Sequence, residues 1–328
     1  MQFTTPLVIL KSENPIDYNS KIVSIGSCFA ENMGAKFDYF KFNTVTNPFG
    51  IIFNPVSIEN IFFRAINEIK FTNDDIFFHN ERWQCYEVHS VLSNQNKEEY
   101  LLNLNQILID FKNHIQTASH FIITYGTSWV YILRYYDSAQ YRQAQSDKNI
   151  IVANCHKVAQ NQFDKTLLSI NEIEKSIKNT IELVQKVNPK CNFIFTVSPV
   201  RHIKDGFIEN TQSKAHLIAA IHKTHNPQLT THNYFPSFEV MMDELRDYRF
   251  YAEDMLHPNQ IAIDYIWEKF LTSQISELIY PAMNEVCNIQ KSLLHKPFNP
   301  NSNCHTKFLE NLKSKIEILK KTLPNIEF

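Results

Sequence analysis

The stretch Ile22-Val23-Ser24-Ile25-Gly26-Ser27-Cys28-Phe29-Ala30-Glu31-Asn32-Met33 decides the fold. Its first four residues are a short apolar run with β-branched side chains, suited to a buried strand. Gly26, one of five glycines in 328 residues, breaks that run. Phe29, Met33 and Phe37 then recur at i, i+4 and i+8, which marks one face of a helix. A strand, a sharp turn and a helix hold whatever sits at the turn above the edge of an open sheet. Ser27 and Cys28 occupy it. A helix start favours a thiolate at Cys28 and offers N–H groups to an oxyanion, although a cysteine there also serves as a small buried apolar residue. Ser27 is the competing nucleophile, and its ordinary role is to cap the helix.

Outward from this unit the hydrophobic period alternates between helix and strand. Ile58, Ile61, Phe62, Ala65, Ile66 and Ile69 predict a helix capped by Ser57, and Leu101, Leu104, Leu108, Phe111 and Ile115 predict a second. Residues 120–125 read as a strand ending at Gly126. Leu167, Ile170, Ile173, Ile177, Ile181 and Val184 predict a long helix begun near Asp164 and closed by Pro189. Residues 192–197 form a fully buried strand, residues 212–222 a helix, and Tyr234-Phe235 a short strand. Asn259 caps a last sheet-covering helix with Ile263, Ile266, Trp267 and Phe270 inside. Residues 73–95 are an aromatic insertion with strands expected at 76–78 and 87–92, and residues 130–160 an irregular excursion. This order predicts an α/β, doubly wound, mainly parallel sheet over residues 1–280. A helical extension follows over 281–328, where Leu309, Leu312, Ile316, Leu319 and Leu323 alternate at spacings of 3 and 4. That seam fits a helix docked on its own domain, or a homodimer contact.

Composition narrows the function. Apolar residues make up 44%, ordinary for a globular chain, and 32 basic against 34 acidic residues leave no footprint for nucleic acid and no polybasic membrane patch. No apolar run approaches the roughly 20 residues of a membrane span. The N-terminus lacks the basic and apolar regions of a secretion signal, and six dispersed cysteines read as free thiols, so a cytoplasmic location is expected. Gly-x-Gly-x-x-Gly, Gly-Lys-Ser/Thr and His-Glu-x-x-His are all absent, and no cofactor is expected. Asn154-Cys155-His156 lacks a third ligand at a recognisable spacing, and no metal is expected either.

In such a sheet the ligand lies at the C-terminal ends of the strands. The informative loops follow Ile25, Tyr125 and Val197, together with the loop holding Asp254-x-x-His257. A carboxylate three residues before a histidine can fold back onto Nδ1 and leave Nε2 free to take a proton. Pro258 restricts the backbone of His257 and helps aim the ring. Gly26, Gly50 and Gly126 all fall at predicted loops near this edge, where a turn or a close approach to a ligand needs glycine. Arg201-His202, after Ser198-Pro199, either holds an anionic substrate group or lies in a solvated loop. His89 lines a pocket or caps a strand.

The segment Ser24-Ile25-Gly26-Ser27-Cys28-Phe29-Ala30 resembles the signature for which the GSCFA family is named, a family grouped with the SGNH, or GDSL-type, hydrolases. The resemblance runs from about Lys21 to Phe270, through Asn47-Pro48-Phe49-Gly50, Tyr125-Gly126-Thr127-Ser128, Asn154-Cys155-His156, Ser198-Pro199-Val200 and Asp254-x-x-His257-Pro258. It implies a three-layer α/β/α, flavodoxin-like hydrolase of esters, thioesters or acylated sugars, with Asp254 and His257 as the catalytic pair. In Gly-Asp-Ser the nucleophile is the second residue after glycine, a position held here by Cys28, with Ser27 in place of the aspartate. Gly126-Thr127-Ser128-Trp129 stands where Gly-x-Asn-Asp is usual, so Ser128 replaces the oxyanion-hole asparagine, and Gly50 takes the glycine contribution. Asn47, His89 and Arg201 complete the expected oxyanion and substrate-binding set. The function implied is hydrolysis of an acyl ester or thioester. Acyl transfer at the same site and a non-catalytic ligand-binding protein of the same fold are the alternatives.

Overall fold

A computed structural model describes residues 5–134, 150–224, 232–324 and 326–328. In chain order the elements are β1 (Lys21–Gly26), α1 (Cys28–Tyr39), β2 (Asn43–Thr46), α2 (Pro55–Ile66), β3 (Phe77–His79), β4 (Arg82–Gln84) and α3 (Lys97–Thr117). Then come β5 (His120–Tyr125), β6 (Trp129–Leu133), β7 (Ile151–Val152), β8 (Phe163–Leu167), α4 (Ile170–Val187), β9 (Asn192–Val197) and α5 (Phe207–Thr224). The chain ends with β10 (His232–Phe235), the short α6 (Ser237–Glu239), α7 (Gln260–Gln274), α8 (Tyr280–Leu293) and α9 (Asn303–Thr322).

Five strands form one sheet in the order β10-β9-β5-β1-β2, and every pairing in it is parallel. Alternation along each strand sorts side chains between two cores. Val23, Ile25, Phe121, Ile123, Phe193 and Phe195 face the core that includes residues of α2, α3, α4 and α5. Ile22, Ile122 and Ile194 face the opposite core, with Phe29, Met33 and Phe37 of α1 and Ile266, Trp267 and Phe270 of α7. The result is a three-layer α/β/α fold, as the alternating periods predict. Because β2 and β5 flank β1 on opposite sides, the chain reverses direction across the sheet at β1, and the C-terminal end of that strand is where sheets of this kind bind ligands.

Several local readings shift. The helix expected from Asp164 begins after Ser169, where the Glu172 N–H donates to Ser169 Oγ (3.3 Å) and the Ser169 N–H to Glu172 Oε2 (2.7 Å). The residues before it form β8 instead, antiparallel to β6, which also pairs with β7. The described part of the irregular excursion is thus a small antiparallel sheet, and residues 135–149 lie outside the described residues. Helix α2 is capped by Asn54, with Pro55 at its start, rather than by Ser57. Residues 87–92 are no strand. They wrap as a loop ending in a helical turn at Ser90–Leu92, where the His89 ring accepts the Val91 N–H (3.3 Å). The C-terminal seam packs within its own chain: Leu312 and Leu319 are buried with Val286 and Ile289 of α8, while Leu309 stays half-exposed. Among the described residues no helix is long and apolar enough to cross a membrane.

The aromatic insertion is tied down by one cation. Arg64 of α2 donates to Glu87 through Nε (2.9 Å), to Asp75 (2.8 Å) and to the Lys70 carbonyl (3.1 Å), with its guanidinium over the Phe71 ring. Removing one member of such a largely buried ion cluster strands the others, at a cost of about 3 kcal/mol. Arg64→Met is therefore expected to lower unfolding stability by about that amount in a urea melt. An unchanged midpoint would show the cluster to be solvated.

Candidate active site at the C-terminal end of the sheet

Gly26 ends β1 with φ +152°, and a Cβ there would lie 2.2 Å from the Thr124 carbonyl oxygen, so only glycine fits. The Ser27 N–H donates to that same carbonyl (3.1 Å), which pins the turn to β5. Ser27 itself is 1% exposed, and its Oγ accepts the Phe29 N–H (3.2 Å) as the N-cap of α1. Cys28, the first residue of α1, is only partly covered and has no hydrogen bond to another side chain among the described residues. Burial pushes its thiol pKa up, and Glu31 pushes the same way. The positive charge of Lys214 and the N–H groups of Phe29 and Cys28 pull it down.

Asp254 and His257 form the second half. The Asp254 Oδ1 atom accepts the N–H groups of Leu256 (2.9 Å) and His257 (3.0 Å), folding the loop into a turn, and Oδ2 meets His257 Nδ1 at 2.5 Å. The N–H of His257, followed by that of Leu256 and the ring, holds the Asp254 carboxyl down to about 2. An ionised carboxylate only accepts, so Nδ1 carries the proton and Nε2 is left as the basic nitrogen. The Arg201 N–H donates to the Leu256 carbonyl (3.4 Å), which fastens this loop to the one after β9. No hydrogen bond joins His257 to Cys28 or Ser27 among the described residues.

Residues 21–270, most of the chain, match the GSCFA family, and this span holds every element of the site. The chain belongs to the GSCFA family. Residues 286–328, most of the α8–α9 pair, match the C-terminal domain of GSCFA domain proteins. No curated protein matches the chain.

In this GSCFA-family chain the remaining expected site residues divide. Asn47, in the left-handed region at φ +45°, accepts the Gly26 N–H on Oδ1 (2.8 Å) and donates its own N–H to the Ser24 carbonyl (2.8 Å). Its Nδ2 is buried without a partner. The Gly50 N–H is committed to the Asn47 carbonyl (2.8 Å), so it is not a free donor. A Cβ on Gly50 would meet the Cβ of His89 at 2.4 Å, so His89 packs directly against this loop. The ring is half-buried, and burial lowers its pKa. Ser128 is fully buried, with its hydroxyl donating to the Ser213 carbonyl (3.1 Å) and its N–H to Ser213 Oγ (2.8 Å). That hydroxyl is turned into α5 rather than toward the turn. The Arg201 guanidinium lies 5.1 Å from the Tyr251 ring centre and has no carboxylate partner among the described residues. His156 is engaged with the Cys85 carbonyl (2.7 Å), and among the described residues no three His, Cys, Asp or Glu side chains are grouped to hold a metal ion.

One group escaped the sequence reading, and a second, His202, figures there only together with Arg201. Lys214 of α5 is fully buried and donates to the Gly126 (2.7 Å) and Ser198 (2.8 Å) carbonyls. His202 stacks on Phe53 at 5.2 Å, and its Nε2 is buried without a partner. Burial first, then the charges of Lys214 and His257, lowers its pKa to about 3. The signal for Lys214 was present. It stands with Asn210, Ser213, Leu217 and Ile221 on the inward stripe of α5, where a solvated lysine does not belong.

Proposed function

We propose that this protein is an SGNH-like hydrolase that cleaves an acyl ester or thioester through Cys28. The observation that carries the reading is the Asp254–His257 clasp at 2.5 Å, on a loop tied to the rim that also holds the Cys28 turn. In the proposed reaction His257 Nε2 takes the thiol proton. The sulfur attacks the acyl carbonyl, and the tetrahedral intermediate collapses as His257 returns the proton to the departing alcohol or thiol. Water activated by the same nitrogen then releases the acid, and another acceptor in its place would make the reaction an acyl transfer. Arg201, with its aromatic partners and no carboxylate among the described residues, is proposed to receive an anionic part of the substrate. The six free thiols fit a reducing, cytoplasmic setting.

For the oxyanion we assign the Cys28 N–H and Asn47 Nδ2, because the Gly50 N–H and the Ser128 hydroxyl are committed elsewhere. Asn47→Asp keeps the Oδ1 acceptor for Gly26 but removes the donor. Loss of one such donor lowers kcat by about 100- to 1,000-fold. That drop in a folded variant is expected, and full activity in Asn47→Asp would remove Asn47 from the oxyanion site.

The function is tested by incubating the protein with short- and long-chain p-nitrophenyl esters and thioesters, and mapping the acyl adduct by mass spectrometry. An adduct on Cys28 is the expected result. Labelling of neither Cys28 nor Ser27 by any acyl donor or by a fluorophosphonate would sink the hydrolase reading. A second reading, a ligand-binding protein without turnover, is favoured by the missing hydrogen bond between Cys28 and His257. Ester-induced thermal stabilisation with no adduct would select it.

A further inference from the structure

We infer that the groove between α8 and α9 is the docking face for a second copy of this chain, with the α9 ridge of each copy seated in the groove of the other. The inference stands apart from the reaction at the sheet edge.

The groove has a volume of about 520 Å³. Asp17, Tyr18 and Asn19 before β1 and residues between Leu278 and Glu285 around the start of α8 line one side, and residues between Lys315 and Leu323 at the end of α9 line the other. Its base is apolar: Leu319 is buried, and Tyr18, Ala282 and Leu323 pack with it in the cluster that holds α9 to α8. Two large apolar side chains stand out on its rim, Leu278 at 91% exposure and Ile318 at 62%. Single exposed apolar residues are ordinary, but two that flank an apolar groove make a continuous patch of the kind that marks a contact surface. The helical period separates this patch from the seam. Leu312, Ile316, Leu319 and Leu323 face α8 at spacings of 4, 3 and 4, whereas Lys315, Ile318 and Thr322 recur at i, i+3 and i+7 on the adjoining stripe, which stays exposed.

Charge selects the occupant. Asp17 and Glu285 lie on the α8 side and Lys315 on the α9 side, and none of the three has an ion pair among the described residues. A partner of one sign, such as an anionic lipid surface or a polybasic peptide, is repelled by one side of the groove whichever sign it carries. A surface with an acidic and a basic edge in the opposite order suits both sides, and a second copy presents that order when the two-fold axis runs along the groove. Lys315 of each copy then meets the Asp17 and Glu285 side of the other, and Ile318 enters an apolar base twice. An axis across the groove would set acid against acid.

The test is sedimentation equilibrium of the full chain over a range of concentrations, where a monomer–dimer equilibrium is expected. Ile318→Asp puts a charge into the apolar base at both symmetric contacts and is expected to raise the dimer Kd by at least about 100-fold. Lys315→Glu and Glu285→Lys each set like charges together twice, and each is expected to raise it about 10-fold at low salt. The double variant Glu285→Lys/Lys315→Glu restores the opposite order and is expected to return the Kd to within about threefold of its original value. All three positions are exposed, so these variants keep the monomer fold, which a circular dichroism spectrum of each records. A protein that stays monomeric up to about 100 μM overturns the proposal, and flotation of that monomer with phosphatidylglycerol vesicles would give the groove to a lipid surface instead. A dimer untouched by Ile318→Asp, or one that the double variant fails to restore, places the contact elsewhere and overturns it too.

Discussion

Cys28→Ala is expected to abolish acyl-adduct formation and ester or thioester turnover, whereas Ser27→Ala leaves both in place. The difference follows from one residue of register. The Ser27 side chain is 1% exposed, and its oxygen already accepts the Phe29 N–H, so its work is capping α1. Losing a serine cap costs about 1 kcal/mol of stability, which a thermal melt of Ser27→Ala should record without loss of labelling. Cys28 is only partly covered, at the first position of the helix, where backbone N–H groups face its sulfur. Persistent labelling in Cys28→Ala together with its loss in Ser27→Ala would reverse the assignment and make the protein a serine hydrolase.

The second large effect is expected at the base. Asp254→Asn keeps the shape of the turn but replaces a pure acceptor with a group that can present an N–H to Nδ1. The ring can then adopt the wrong tautomer, and a loss of about 10,000-fold in kcat follows where a triad depends on it. His257→Gln should fall at least as far, and the double variant should be little worse than either single one, because the two residues act as a unit. The pH profile adds a check. Asp254 in the folded protein holds its charge down to about pH 2. Its depressed pKa means that the stability it lends is present above its ordinary carboxylate range and is lost as the pH falls toward 2. An acid limb of activity anywhere above pH 3 therefore reports another group. If Asp254→Asn retains full kcat, His257 is not oriented by this carboxylate and the triad reading fails.

Much of the architecture was legible in the chain because it is local. Phe29, Met33 and Phe37 share one face of α1 whatever surrounds them, and the alternation of Val23 and Ile25 with Ile22 already assigns them to opposite layers. The misread stretches depended on distant partners. β8 is a strand only because β6, thirty residues earlier, offers an antiparallel edge. Its own sequence, Phe163-Asp164-Lys165-Thr166-Leu167, is too charged to announce it. The C-terminal seam carried a sound signal whose partner the chain alone could not name. The structure supplies α8.

The candidate site shows the same division. By itself the sequence determined that a strand breaks at Gly26 into a helix with Ser27 and Cys28 at the turn. It also placed a carboxylate three residues before His257, close enough to clasp its ring. Both are matters of spacing along a few bonds. Only the tertiary structure decided which of the two candidates is open and which is a cap, since burial of Ser27 depends on β5 lying against the turn. It also turned the Ser128 hydroxyl into α5, left Asn47 Nδ2 without a partner, and clasped a buried lysine between the Gly126 and Ser198 carbonyls. Those outcomes depend on which carbonyls and side chains meet across the sheet. A linear pattern does not encode that, because it shows which residues share a face and not which groups they meet across the sheet.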